Sequence, residues 1–287
     1  DEVQNIPGFE KLLEGLYVTP NLDLYVTGSN AYLLSSELAT ILTGRAYEIN
    51  VLPFSFAEYL EYTGKAVNSD RAFANYMRTG GFPEAVGFIE SGESYAYEYL
   101  KTVFRNIYEN DIQKRHTIYY ETSYNEVVHF LIDSIGSSVS ARNIAKALLF
   151  YKVNRYDIKG KQHLATQEKY YLVDLGLRYA LLGKELTADA GHLLENVIYL
   201  ELLRRNYQIW IGKTDNLEVD FVVRDKDGYT QYIQVAFTVK EKTTLERELA
   251  PFNRIPDFNQ RLLITMDYET GNHNGVKQIN AIDRLLK

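Results

Sequence analysis

Two groups of residues in this sequence have the types and spacing for phosphate chemistry. The first is the adjacent pair Asp1 and Glu2, which opens the run DEVQNIPGFEK. At the end of a strand, such a pair can hold a magnesium ion through its first acid and activate the attacking water through its second. An Asp-Glu pair alone is ordinary solvated surface, so the residues downstream matter. YVTGSN would leave Ser29 and Asn30 exposed at a strand end, where a polar group can sense a γ-phosphate. LTGR places Arg45 where a guanidinium can neutralise the charge of a transferring phosphoryl group, although an arginine at a helix end is by default structural. The second group lies in the last third: Glu195 in an apolar helix, then Glu218 and Asp220 two residues apart on one strand face. Metal-dependent cleavage of a phosphodiester needs a further acid, and a lysine two residues later, on the next strand, YIQVAFTV. Gln234 and Ala236 stand at those positions. Gln234 offers a carbonyl without charge and Ala236 offers nothing, which removes most of the electrostatic support for a phosphodiester transition state. Lys240 and Lys242 lie just beyond and are the candidates to reach back.

The elements that must carry these residues are legible from period and punctuation. LDLYVTGSN reads as a buried strand, SSELATILTG as a short helix, and YEINVLPFSF as a strand broken by Pro53, with FAEYLEY starting a helix. Residues 69–149 are mostly helical, interrupted at TGGFP and ESGE. FYKVNRYDI and KYYLVDLGL read as strands. The final third alternates: helix HLLENVIYLELLRR, strands YQIWIG, LEVDFVV and YIQVAFTV, helix TTLERELAPF, strand RLLITM. Strands bracketed by helices make an α/β layered domain.

Composition sets the outer bounds. The 287 residues are enough for two or three domains, and cysteine is absent, which excludes disulfides and thiol chemistry and fits a cytoplasmic location. No apolar run approaches a membrane span. A net charge of −7 argues against a general polyanion binder. Residues 141–161 are the exception: Arg142, Lys146, Lys152, Arg155, Lys159 and Lys161 face one acid, Asp157, a local excess that could contact DNA phosphates. The chain has 24 tyrosines; repeats such as SYAYEYL could stack on bases, but tyrosines at helical spacing read first as packing residues. His116, His129, His163, His192 and His273 lack metal-ligand spacing, and GNHNG around His273 reads as a turn.

DEVQNIPGFEK, YVTGSNAYLLSSELATILTGR, LPFSFAEYL, GGFPEAV and KYYLVDLGLRYALLG…GHLLENVIYLELLRR together resemble the prokaryotic AAA-superfamily ATPases with a C-terminal restriction-endonuclease-like domain of PD-(D/E)XK type. The resemblance implies an α/β multidomain chain: residues 1–62 as the distal part of a P-loop ATPase core, 63–122 as a helical lid, 123–183 as a winged-helix module, and 184–287 as a nuclease-like α/β domain. It implies ATP and Mg2+ as cofactors of the full-length protein, with Asp1 as the magnesium-associated acid, Glu2 as catalytic base, Ser29 or Asn30 as sensor, and Arg45 as an arginine of the finger or sensor type. A homo-oligomer is a possible partner state. The phosphate-binding loop such an enzyme needs does not precede Asp1, and the Gly212–Lys213–Thr214 triplet has Tyr207 where that loop's first glycine belongs. The chain therefore reads as a piece of a longer protein, with no ATP expected on the piece itself. The same resemblance expects about two dozen further residues between Leu149 and Phe150. In the C-terminal domain it implies a degenerate site of Glu195, Glu218, Asp220, Gln234 and Ala236. The competing readings are a DNA-binding or protein-interaction module without ATP chemistry, and a working metal-dependent nuclease.

Overall fold

The computed structural model describes residues 3, 6–28, 47, 49–64, 69–107, 109, 128–139, 149–183 and 189–287. They belong to two compact units, residues 1–51 and 52–287. In the first, helix α1 (Phe9–Tyr17) buries Phe9 and Leu13, one turn apart, with Val3, and Val26 packs partly against them. The strand expected over LDLYVTGSN is not formed in its described part. Residues 22–28 are irregular and Tyr25 is 81% exposed. Val3 N–H donates to Thr27 O there, and one such bond does not make a ladder. The helix expected over SSELATILTG lies outside the described residues. YEINVLPFSF is also irregular where described, because Pro53 has no N–H to give a ladder and Phe54 N–H goes to Gly81 O instead.

The second unit contains helices α2 (Phe56–Thr63), α3 (Ser69–Thr79), α4 (Pro83–Phe88), α5 (Glu93–Asn106), α6 (Leu175–Leu182), α7 (Ala190–Arg204), α8 (Lys242–Leu249) and α9 (Ala281–Leu285), and residues 128–133 are helical as well. Its strands are β1 (Ser138–Val139), β2 (Phe150–Asp157), β3 (Gln162–Leu172), β4 (Gln208–Thr214), β5 (Leu217–Arg224), β6 (Thr230–Ala236), β7 (Gln260–Thr265), β8 (Gly271–His273) and β9 (Val276–Asn280). Among the described residues they form one mixed sheet in the order β1-β3-β2-β4-β5-β6-β7-β9-β8. Parallel pairing of β2 with β4, Arg155 opposite Ile211, carries the sheet across residue 183, so the β2–β3 hairpin and the C-terminal strands share it. GNHNG is more than a turn: Asn274 and Gly275, both at positive φ, link β8 to β9 as a hairpin.

Both sheet faces are covered. Phe56 and Tyr59 of α2, Phe73 and Tyr76 of α3, Leu194 and Ile198 of α7, and Ile282 of α9 pack on Phe221, Ile233 and Ile264. On the other face Val222, Tyr232, Ala236 and Leu263 lie under Phe252, with Leu245 and Leu249 of α8 partly buried beside them. A local signal fixes the start of α2. Ser55 Oγ accepts Glu58 N–H (3.2 Å) while Glu58 Oε2 accepts Ser55 N–H (2.7 Å), a reciprocal capping box.

Asp174 joins three sequence-distant pieces. It caps α6 by accepting Gly176 N–H (2.8 Å) and also accepts Gly81 N–H (2.6 Å), while Gly81 O accepts Phe54 N–H. Gly80 sits at φ +72°, and a Cβ there would fall 1.8 Å from Asp174 Oδ1; a Cβ on Gly176 would fall 2.2 Å from Thr79 O. Only glycine lets the chain segments approach this closely. Complete burial pushes the Asp174 carboxyl up to about 7, against the pull of backbone N–H groups from Gly81, Gly176, Phe82 and Leu177.

Candidate functional site

Strand β3 and helix α7 are laid side by side by two sets of contacts. Asn196 accepts Leu172 N–H (2.8 Å) and donates to Leu172 O (3.0 Å), so an amide side chain substitutes for a neighbouring strand. Tyr171 stacks on Tyr199, with ring centroids 4.4 Å apart. Lys169 lies two residues before Tyr171, on the same strand face, and Glu195 one turn before Tyr199 on the helix. Their side chains meet: Lys169 Nζ is 2.9 Å from Glu195 Oε1.

Two further acids converge on the same ammonium, Glu218 Oε1 at 2.7 Å and Asp220 Oδ1 at 3.7 Å. A β-bulge aims them there. The pairs Trp210–Val222 and Gly212–Val219 leave Asp220 and Phe221 together opposite Ile211. Such a bulge bends the strand and re-aims its side chains. Glu218 also pairs with Arg155, and Tyr171 Oη donates to Glu195 Oε1 (2.6 Å). Asp220 Oδ2 accepts Val235 N–H (2.8 Å).

Burial by itself would push the Lys169 ammonium down, but Glu195, Asp220 and Glu218 lift it above the ordinary lysine value. Burial and the Glu195 charge push Asp220 well above the usual carboxylate range, with Lys169 opposing. Burial and Glu195 likewise push the Tyr171 hydroxyl up. The Lys169 side chain is only 5% exposed and Glu195 7%, so this pair is buried, while Glu218 at 31% reaches toward solvent.

The structure brings Glu195, Glu218 and Asp220 together around Lys169, and separates the third-strand positions from them in role. Gln234 Oε1 accepts Asp220 N–H (3.3 Å), and its Nε2 donates to Glu248 Oε2 (2.9 Å) on α8. Gln234 thus ties the Asp220 backbone to the far helix. Ala236 packs in the apolar layer with Val239 and Phe252. Lys242 does not reach back: it is 87% exposed and its ion pair is with Glu246 of its own helix; Lys240 is exposed too. The lysine beside these acids is Lys169. Its signal in the sequence was slight, one charge heading the apolar run KYYLVDLG.

A metal does not fit the cluster as built, because the lysine ammonium already sits between the carboxylates that would ligate it. Among the described residues no group of three His, Cys, Asp or Glu side chains is arranged to hold a metal ion. Asp1, Glu2, Ser29, Asn30 and Arg45 lie outside the described residues. So do Arg142 and Lys146 of the basic segment. Of its other cations, Lys152 pairs with Glu168, Arg155 with Glu218 and Lys159 with Asp215. Those three charges are answered within the fold. Among the described residues no helix is long and apolar enough to cross a membrane.

Residues 1–60 match the family model described as AAA domain, which gives this part of the chain an AAA-like relationship. Residues 70–150 match the model described as Domain of unknown function (DUF8612). The chain is 36% identical, over its whole length and 76% of the other's, to an uncharacterized protein of Haemophilus influenzae, and it belongs to that protein's family. It is 25% identical to an uncharacterized protein of Methanocaldococcus jannaschii, with 99% of this chain and 70% of the other covered. The two alignments run over 316 and 323 residues, so each relative carries residues within the matched span that these 287 lack. No solved structure matches the chain.

Proposed function

We propose that the full-length protein is a magnesium-dependent ATPase of AAA type, in which residues 1–62 are the distal part of the nucleotide-binding core. The observation that carries this reading is the AAA-domain match over residues 1–60, which contains every residue of the phosphate-directed group. Asp1 would hold the magnesium ion, Glu2 would take the proton of the attacking water, and Ser29 or Asn30 would contact the γ-phosphate. Arg45 would neutralise charge on the transferring group. Bound ATP and Mg2+ supply the reacting phosphoryl group and its counter-charge. Steady-state turnover of MgATP by the full-length protein tests the reading, and a protein that neither binds nor hydrolyses ATP would end it.

Residues 63–122 then serve as the lid, 123–183 as a winged-helix-like module, and 184–287 as a nuclease-like domain without nuclease activity. The order α7, β4, β5, β6 and the convergence of Glu195, Glu218 and Asp220 support the nuclease-like assignment. Lys169 is the observation that favours a working nuclease, since it brings a lysine to the acids. Its ammonium is engaged by three carboxylates and closed off from solvent, so none of it remains to meet a phosphodiester.

A further inference from the structure

Two exposed aromatic side chains precede neighbouring strands at one end of the sheet. In the parallel register of β6 and β7, Gln231 lies beside Gln260, and Tyr229 and Phe258 each stand two residues before that pair. Phe258 is 102% exposed and Tyr229 71%, so Phe258 gives up no surface to its own chain. A lone surface aromatic is ordinary, but these two stand on loops whose order is already fixed. In the Phe258 loop, Asp257 accepts the Tyr232 hydroxyl (2.6 Å) and Asn259 N–H (3.0 Å), and Arg261 Nη2 donates to Asp257 O (2.5 Å). In the Tyr229 loop, Asp225 Oδ1 accepts Asp227 N–H (3.0 Å) and Tyr229 N–H (2.9 Å). Gly228, at φ +88°, closes that turn by donating to Asp225 O (3.1 Å). Aromatic anchors on loops held in this way lose little conformational freedom when a partner covers them.

The charges beside them say which partner fits. The turn leading into Tyr229 runs Arg224, Asp225, Lys226, Asp227, four charges of alternating sign. Their sum is zero, which gives no pull on a polyanion or an anionic membrane surface. Arg224, Lys226 and Asp227 are exposed, and among the described residues none of the three makes an ion pair. A two-fold axis sets a segment against its own copy in reversed order. Arg224 then meets Asp227 of the second copy, and Asp225 meets Lys226 of the second copy, so every facing pair is of opposite sign.

We propose that this end of the sheet is a two-fold interface between copies of the chain, with Tyr229 and Phe258 as its apolar centre and the alternating turn as its charged rim. No residue of the proposed nucleotide core takes part, so the interface stands or falls independently of ATP hydrolysis.

The test is sedimentation velocity of the full chain over a wide range of concentration. A reversible monomer–dimer equilibrium is expected, weakened about tenfold or more by Phe258→Ala. That side chain packs on nothing in its own fold, so the variant folds as the parent does. Arg224→Asp and Asp227→Arg should each weaken the dimer, because each sets like charges against one another across the axis. The double variant puts opposite charges back and should recover the parent's association, which a purely local role of either charge would not produce. A chain that stays monomeric at every concentration overturns the proposal. So does a dimer that Phe258→Ala leaves unchanged, or a double variant that associates no better than the single ones.

Discussion

Lys169 on β3 and Glu195 on α7 form a buried ion pair at 2.9 Å, and the same ammonium is shared with Glu218 and Asp220. A cation inside this acid cluster makes it an internal clamp between the β2–β3 hairpin and the C-terminal strands. Removing one partner of a buried pair leaves uncompensated charge, which typically costs about 3–5 kcal/mol. Lys169→Met should therefore lower the unfolding free energy by that order at neutral pH, measured by urea denaturation. A loss no larger than that of an exposed lysine would show that the cluster carries no such load.

The acid cluster around Lys169 should not cut nucleic acid. The full chain, incubated with single- and double-stranded DNA and with RNA in magnesium or manganese, is expected to leave every substrate intact. Placing the missing pair, Gln234→Glu with Ala236→Lys, would put a carboxylate beside Glu248 and an ammonium into an apolar layer, so the double variant should lose stability. Metal-dependent cleavage by the unmodified chain, abolished by Asp220→Asn, would promote the nuclease reading over the silent one.

Asp174 gives a pH dependence whose sign is fixed by its raised value. Its carboxyl stands at about 7 in the folded chain against an ordinary 3.8. Folding thus favours the protonated form: the stabilisation is fully present below the unfolded value and is lost as pH rises through about 7, a change on the order of a few kcal/mol. Asp174→Asn should flatten this part of the stability profile between pH 4 and pH 7. An identical slope in parent and variant would assign the effect to other groups.

On the ATPase reading, Arg45 should separate catalysis from binding. In the full-length protein Arg45→Ala should lower ATP turnover by about 10³-fold or more while nucleotide affinity changes little. Unchanged turnover would make Arg45 a helix-end residue with no part in the reaction.

Much of the second unit was legible because its signals are local. The helix over HLLENVIYLELLRR and the strands over YQIWIG, LEVDFVV, YIQVAFTV and RLLITM all form, with ends shifted by a few residues. What was not legible depends on distance along the chain. Nothing near Lys169 indicates that it closes on Glu195, 26 residues away. Nothing in the run TTLERELAPF marks Glu248, which is buried against Gln234. LDLYVT misled in the opposite direction. An apolar run signals a buried strand only where a sheet receives it, and Leu22 and Tyr25 are exposed.

The most direct test of the ATPase account is the turnover of Glu2→Gln in the full-length protein, measured with saturating MgATP. Glutamine keeps the size and loses the base, so turnover should fall by about 10²–10⁴-fold with ATP still bound. Turnover equal to that of the parent would contradict the account, because no other residue in the 1–60 match is assigned to activate the water.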